Sequence, residues 1–427
     1  MAEGASPKAW RTGFLSGLSR DGWLLFVTCA VRSFAYGFLS VMLGLFLAVI
    51  GLDAVAIGIV FTAALAGGAV MTVFLTTVAD QYGRRGVLMV GAALMALAGT
   101  AFALTDNLIL LTMAAVLGTI SPSGKEVGPF LSIEQAMLPQ TTGSERRTNI
   151  FAAYNLVGSL AGALGALAVG LPSVLGMAPL AGYRLLIWGY VFAALVMLVL
   201  FAGLSPALEV AAVKSASARR RHGVHRSRGA VARLAALFAI DAFAGGFVVQ
   251  SLVAYWFYLR YGVDTRVLGS IFFGTNFLSA LSFLLAVPIA RRIGLLNTMV
   301  FTHLPSNLLL LLVPLMPNLE LAVGMFLARH LLSQLDVPTR QSYTMAIVDP
   351  DERSAAAGLM SVARTGAAAI APAFTGWMLA VPALGLPFLF AGGLKIIYDI
   401  AIFALFRHVR PPEEIVQPPR RSRPSSS

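Results

Sequence analysis

The chain has 427 residues, 58% of them apolar and only 12% charged, with a formal net charge of +12. Soluble domains carry roughly 25% charged residues, so the composition argues against a soluble fold. The lone Cys29 excludes a disulfide framework and a cysteine-based zinc site. A helix that crosses a bilayer takes about 20 mostly apolar residues, which makes the apolar content enough for about twelve crossings.

Apolar runs between polar punctuation predict spans near residues 23–50, 56–78, 87–104, 107–138, 148–172, 183–204, 231–258, 264–287, 294–316, 318–347, 354–381 and 385–408. Runs this long and apolar on most faces read as helices, since barrel strands run about ten residues with alternating polarity. The predicted fold class is all-α, a polytopic membrane protein. Its organisation is a cytoplasmic tail over 1–22, a six-helix bundle over 23–204, a linker over 205–230, a second bundle over 231–408 and a disordered cytoplasmic tail over 409–427.

With the N-terminus inside, 22 of the 31 lysines and arginines fall in cytoplasmic segments, and only Arg184, Arg260 and Arg266 fall in outer loops. This asymmetry predicts that both termini are cytoplasmic. The basic run Arg219 to Arg221 reads as a solvated linker near anionic lipid head groups, and no nucleic-acid partner is expected. The first 22 residues are polar and the next apolar run is too long for a signal peptide, so no cleavage is expected.

The sequence repeats itself. Arg32-Ser-Phe-Ala-Tyr-Gly-Phe38 recurs 209 residues on as Asp241-Ala-Phe-Ala-Gly-Gly-Phe247. Gly51-x-Asp53-x4-Gly58-x2-Phe61 recurs 211 residues on as Gly262-x-Asp264-x4-Gly269-x2-Phe272, and Gln135 with Arg147 recurs 206 residues on as Gln341 with Arg353. Nearly constant offsets mean two six-span units. Six is even, so both units enter the membrane in the same direction and are related by an axis along the membrane normal.

Eleven ionisable residues lie inside the predicted spans and away from their ends: Arg32, Lys125, Glu126, Glu134, Asp241, Arg329, Asp336, Arg340, Arg364, Lys395 and Asp399. Each costs at least about 2.5–3.5 kcal/mol near the bilayer centre, so each must face a cavity or find a partner. Arg32 in span 1 and Asp241 in span 7 lie near mid-membrane at equivalent positions of the repeat. Span 4 would reach about 48 Å as one helix against a core of about 30 Å. Its break signal is Ser121-Pro122-Ser123-Gly124, which places Lys125 and Glu126 at or beside a cavity. Glu134 and Arg340, equivalent in the repeat, lie toward the cytoplasmic ends and read as gate elements. Asp336 with Arg340, and Lys395 with Asp399, have the i,i+4 spacing of local pairs. Arg364 has no sequence-local partner and is either a cavity residue or paired across helices. His303 and His330 read as packed hydrogen-bonders.

Between spans 2 and 3 stands Val78-Ala79-Asp80-Gln81-Tyr82-Gly83-Arg84-Arg85, with a degenerate copy between spans 8 and 9, Ala290-Arg291-Arg292-Ile293-Gly294. Together with the two six-span units, this motif resembles the major facilitator superfamily, whose loop signature reads G-x-L-A-D-x-x-G-R-R. Thr76 replaces the leading glycine, Val78 the leucine, and the second copy lacks the aspartate. The resemblance implies a secondary transporter whose halves rock around a central site, with Asp80, Gly83, Arg84 and Arg85 helping to hold the cytoplasmic side closed. It also implies that spans 1 and 7 line the cavity from opposite sides, so that Arg32 and Asp241 face each other at the substrate. Arg32, Asp241, Lys125, Glu126 and Arg364 are thus the expected substrate or proton pathway. Their cations favour an anionic or zwitterionic solute, and Asp241 or Glu126 is expected to exchange protons.

Span 5 reads Gly158-x3-Gly162-x2-Gly165-x4-Gly170-Leu-Pro172 and lacks the glycine-proline signature usual in drug antiporters of the superfamily. That counts against multidrug or toxicant efflux, one alternative; a non-transporting membrane sensor is the other. HExxH, GxSxG and Walker A sequences are absent, so no enzyme activity, cofactor or metal is expected. The expected setting is the cytoplasmic (inner) membrane, for a monomer with a small-molecule substrate, the bilayer and protons as partners.

Overall fold

The computed structural model describes residues 18–124, 129–141, 147–206, 208, 225–349 and 352–409. Among them the regular elements are all helical. Residues 1–17 of the first tail, 209–224 of the linker and the final tail from 410 onward lie outside the described residues.

Spans 1 to 3 are the unbroken helices α1 (Arg20–Val49), α2 (Ala54–Tyr82) and α3 (Arg84–Leu104). Span 4 is split into α4 (Leu108–Leu117) and α5 (Phe130–Met137), as the Ser-Pro-Ser-Gly signal predicts. Span 5 is α6 (Arg147–Ala168), followed by the short α7 (Leu171–Val174), and span 6 is α8 (Pro179–Ala202). In the second half, span 7 is split into α9 (Arg228–Gly246) and α10 (Gln250–Tyr261), while α11 (Thr265–Ile293) and α12 (Leu295–Leu312) are spans 8 and 9. Span 10 is split into α13 (Leu319–Ser333) and α14 (Asp336–Ile347); α15 (Arg353–Met378) and α16 (Leu386–Phe406) complete the set. By length and composition alone, eight helical stretches qualify as membrane spans among the described residues. The other four crossings are spans 4, 8, 10 and 11, of which spans 4 and 10 are broken.

The repeat seen in the sequence is a repeat of local structure. Gly51 and Gly262 both have positive φ, +95° and +65°, and each is followed by an aspartate that caps the next helix. Asp53 Oδ1 accepts from the Ala56 N–H at 2.7 Å, and Asp264 Oδ1 from the Val267 N–H at 3.0 Å. Such a side-chain acceptor satisfies an otherwise orphaned helix donor. The turns after α2 and α11 match as well: Gly83 and Gly294 adopt φ of +100° and +88°, a region closed to most side chains.

Sealing between the halves lies on the side away from the termini. There α2 crosses α15 at glycines: a Cβ on Gly58 would sit 2.5 Å from the Pro372 carbonyl oxygen, and one on Gly376 2.3 Å from that of Ala54. The Ala373 N–H donates to Thr62 Oγ1 at 2.9 Å, and Ser173 and Thr265 hydroxyls meet at 3.1 Å. The breaks of spans 4 and 7 also join here, the Ser251 N–H donating to the Pro122 carbonyl at 2.9 Å. Gln250 Nε2 and Ser251 Oγ donate to Ser40 Oγ and the Ser40 carbonyl at 2.8 and 2.7 Å. One hydrophobic cluster fills the first half and, on this side, continues into the second. On the terminal side a separate cluster, including Leu234, Phe238, Met299, Tyr343 and Ile402, belongs to the second half alone.

Glu352, in the turn before α15, ties down the start of the second half. Its carboxylate accepts from the backbone N–H groups of His225, Arg226 and Ser227 at 2.5, 2.6 and 2.9 Å. Burial alone raises a carboxyl pKa, but the N–H donors of Arg226, Ser227 and His225 outweigh it and hold Glu352 at about 2.

Candidate functional site

Among the described residues the in-membrane charges gather into two clusters, one in each half. In the first, α1 presents Arg32 and the second part of span 4 presents Glu134, both with fully buried side chains. The guanidinium clasps the carboxylate in two parallel bonds, Nη1 to Oε1 at 2.9 Å and Nη2 to Oε2 at 2.7 Å. Tyr154 from α6 donates its hydroxyl to Glu134 Oε2 and accepts from Arg32 Nη2 at 3.1 Å, while Thr28 Oγ1 donates to Oε1 at 3.1 Å. The guanidinium also lies over the Phe130 ring, 5.0 Å from its centroid. Burying two charges is tolerable only when the geometry is good and the spare lone pairs are filled.

The second cluster centres on Asp241 of α9. Lys395 Nζ of α16 donates to its Oδ1 at 2.5 Å, and its Oδ2 accepts from Arg340 Nη1 of α14 at 3.2 Å and Arg364 Nη1 of α15 at 3.3 Å. Arg340 also binds Asp336 at 2.9 Å, one turn away on its own helix. Both guanidiniums lie over Phe238, one turn before Asp241. Beyond the carboxylate, His303 of α12 joins Asp399 of α16 at 2.7 Å through Nδ1.

The two clusters are copies with the charges exchanged. Span 1 carries a cation and span 4 the anion in the first half; span 7 carries the anion and span 10 a cation in the second. Arg32 and Asp241 are equivalent in the repeat, as are Glu134 and Arg340, and each cluster keeps a phenylalanine under its guanidinium. Interactions alike in kind therefore join the first and fourth span of each unit.

This geometry corrects several expectations. Arg32 and Asp241 are not each other's counter-ion: each is neutralised inside its own half, because the fourth and tenth spans bring an opposite charge closer than the facing half does. Glu134 and Arg340, expected as gate elements, are both buried in these ion pairs. Lys395 and Asp399 do not pair along α16. An i,i+4 step turns about 40° around a helix, enough to aim the long lysine at α9 and the short aspartate at α12. His303, expected as a packed hydrogen-bonder, is buried and bonded through Nδ1 to Asp399 at 2.7 Å, with Nε2 4.0 Å from Asp241 Oδ1. Arg364 is paired across helices, with Asp241 of α9, and its side chain stays 31% exposed.

Elsewhere the expected residues are placed as follows. Arg84 Nη1 donates to the Ala136 carbonyl at 3.2 Å and Arg85 Nη2 to the Ala202 carbonyl at 2.6 Å, so both fasten the turn after α2 to ends of other helices in the first half. Gly83 supplies the turn itself. Lys125 and Glu126, and the side chain of Asp80, lie outside the described residues. Tyr154, Asn307 and Phe238 were not singled out from sequence; a hydrogen-bonding group on an otherwise apolar span was the available signal for the first two.

A family model described as Major Facilitator Superfamily matches residues 25–335 and 261–427. An uncharacterized membrane protein of Saccharomyces cerevisiae, YJR124C, is 30% identical over 423 residues, spanning 91% of this chain and 94% of the yeast protein. The nucleoside transporter NupG superposes with a TM-score of 0.70 at 14% identity, over 91% of this chain and 99% of that one. The xylose transporter XylE from E. coli, in a partially occluded inward open conformation, does so with a TM-score of 0.68 at 13% identity, over 92% and 99%. The two solved structures share the fold, and the matching family model adds the lineage: the chain belongs to the major facilitator superfamily.

Proposed function

We propose that this protein is a secondary transporter that moves a small anionic or zwitterionic solute across the cytoplasmic membrane by alternating access, with protons as the coupling ion. It acts as a monomer with both termini in the cytoplasm, which the positive-inside asymmetry supports. The observation that carries the substrate class is the cationic open face of the second cluster. Asp241 and Asp336 have side chains only 5% and 6% exposed, whereas Arg364 is 31% exposed. A guanidinium in lipid costs at least about 2.5–3.5 kcal/mol, so its exposed atoms belong to water between the halves.

A solute entering there meets Arg364 first. An anionic group can replace the 3.3 Å contact to Asp241 with a charge-assisted bond of its own, while Lys395 and Arg340 keep Asp241 in place. Arg329 supports the same reading: among the described residues it has no carboxylate within 4.0 Å, and its buried Nε lacks a hydrogen-bond partner. The far-side seal supports a state open toward the termini. Asp80, Gly83, Arg84 and Arg85 then serve the opposite state, in which the terminal side closes. Arg32 with Glu134 stiffens the first half, and Lys125 and Glu126 complete the pathway.

Thermal stabilisation of the purified protein by organic anions, amines, sugars and nucleosides tests the substrate class, because only binders to the folded state shift it. Anions should stabilise, and Arg364→Gln should weaken their binding about tenfold or more, the worth of a charge-assisted hydrogen bond. Stabilisation by amines alone, or an anion response untouched by Arg364→Gln, contradicts the reading.

A further inference from the structure

Beside the Asp241 cluster lies a buried pair that substrate binding as described does not use. Asp399 is 1% exposed, with Oδ1 2.7 Å from His303 Nδ1. Asn307 Nδ2 donates to Asp399 Oδ2 at 2.8 Å and stands 3.1 Å from the same ring nitrogen. Among the described residues no lysine or arginine comes within 4.0 Å of Asp399, in contrast to the three cations at Asp241. A carboxylate shut away from water without a fixed cation is costly to hold. One proton on the pair removes the cost, as imidazolium against carboxylate or as imidazole against carboxylic acid. Both arrangements have no net charge.

The neighbours decide what that proton does. On α16, Lys395 reaches past Asp399 to Asp241, and the Tyr398 ring meets His303 edge-on at 6.0 Å. Asp241 of α9 lies 4.0 Å from His303 Nε2. Span 10 contributes Arg340 with Asp336, and Arg329 seven residues before Asp336 on the same span; Arg364 comes from α15. Four cations (Arg329, Arg340, Arg364, Lys395) against two carboxylates (Asp241, Asp336) leave +2 when the pair holds its proton, and +1 when it does not.

We infer that His303 and Asp399 form the proton site of this transporter, and that the proton governs substrate affinity by charge, through Asp241, at Arg364 and Arg329. This rests on the anionic reading above. A proton taken from water onto the pair adds one positive charge to the cluster and strengthens its hold on an anion; returning the proton to water weakens it. Coupling of binding is reciprocal, so anion and proton bind together and cross in the same direction.

The test uses the full chain in detergent micelles, with lactate, benzoate and inorganic phosphate as probes. In wild type, affinity for at least one probe should fall by about 5- to 150-fold between about pH 5.5 and about pH 8, the usual range of site-to-site coupling. Asp399→Asn, which fixes the pair without charge, should bind that probe tightly at both pH values. Without probe, the pH-dependent part of thermal stability over the same range should shrink in Asp399→Asn and move to a different pH in His303→Gln, where the carboxyl must take its proton without the imidazole; the second variant guards against a folding failure of the first. Absence of stabilisation by all three probes at every pH overturns the anionic reading and with it the coupling. Wild-type pH dependence retained in the folded variants, with or without probe, overturns the proton site alone.

Discussion

At the scale of single residues, the arrangement is governed by the cost of charge in a membrane. Arg32 and Glu134 show it most plainly, two side chains with no exposed surface that meet in a bidentate clasp. Removing one partner of such a buried pair leaves an uncompensated charge and costs about 3–5 kcal/mol, whereas removing both costs less. Glu134→Gln should therefore destabilise the protein by about that amount, and Arg32→Gln combined with Glu134→Gln should recover part of the loss, read as the midpoint of denaturant unfolding. Equal losses in the single and double variants contradict a mutual pair. Sequence made Arg32 and Asp241 visible as charged, mid-membrane and equivalent in the repeat. Their partners were not legible, because Glu134 is 102 residues from Arg32 and Lys395 is 154 from Asp241. Spacing along one helix reports only neighbours on that helix, which is how Lys395 and Asp399 came to look like a pair.

At the scale of helices, breaks and crossings position these residues. The break of span 4 was legible because proline and glycine interrupt an apolar run beside Lys125 and Glu126. The break of span 7 carries weaker punctuation, Gly245-Gly246, which also lets α9 approach α15: a Cβ on Gly246 would lie 2.4 Å from the Ala368 carbonyl oxygen. The far-side seal depends on the crossing of α2 and α15 at Gly58 and Gly376. Adding a side chain there pushes against backbone, and overpacking of this kind costs about 1–3 kcal/mol. Gly58→Ala should open the seal, so that a cysteine introduced at the buried Ser251 reacts with a water-soluble maleimide roughly fivefold faster or more. The native Cys29 is itself buried and adds little background. Unchanged labelling shows that this crossing does not hold the seal.

At the scale of the molecule, two copied six-helix units meet on the side away from the termini and keep separate ion clusters within their own walls. The layout of two repeated helical units was legible from the period and from the loop motif between spans 2 and 3. What sequence placed wrongly was the seam: it set a cation against an anion across the two halves, where the structure sets each against a partner of its own. Halves whose buried ion pairs are internal can separate and rejoin without breaking an ion pair between those clusters, as a rocking motion requires. The direct measurement is of distances between paired spin labels in lipid nanodiscs. One pair at Tyr82 and Ile293 reports the terminal side, and one at Leu175 and Leu384 the far side, all of them exposed. Alternating access predicts two populations whose distances change in opposite senses, one pair lengthening as the other shortens when pH and anion are varied. A single fixed distance for both pairs, or lengthening of both together, contradicts it.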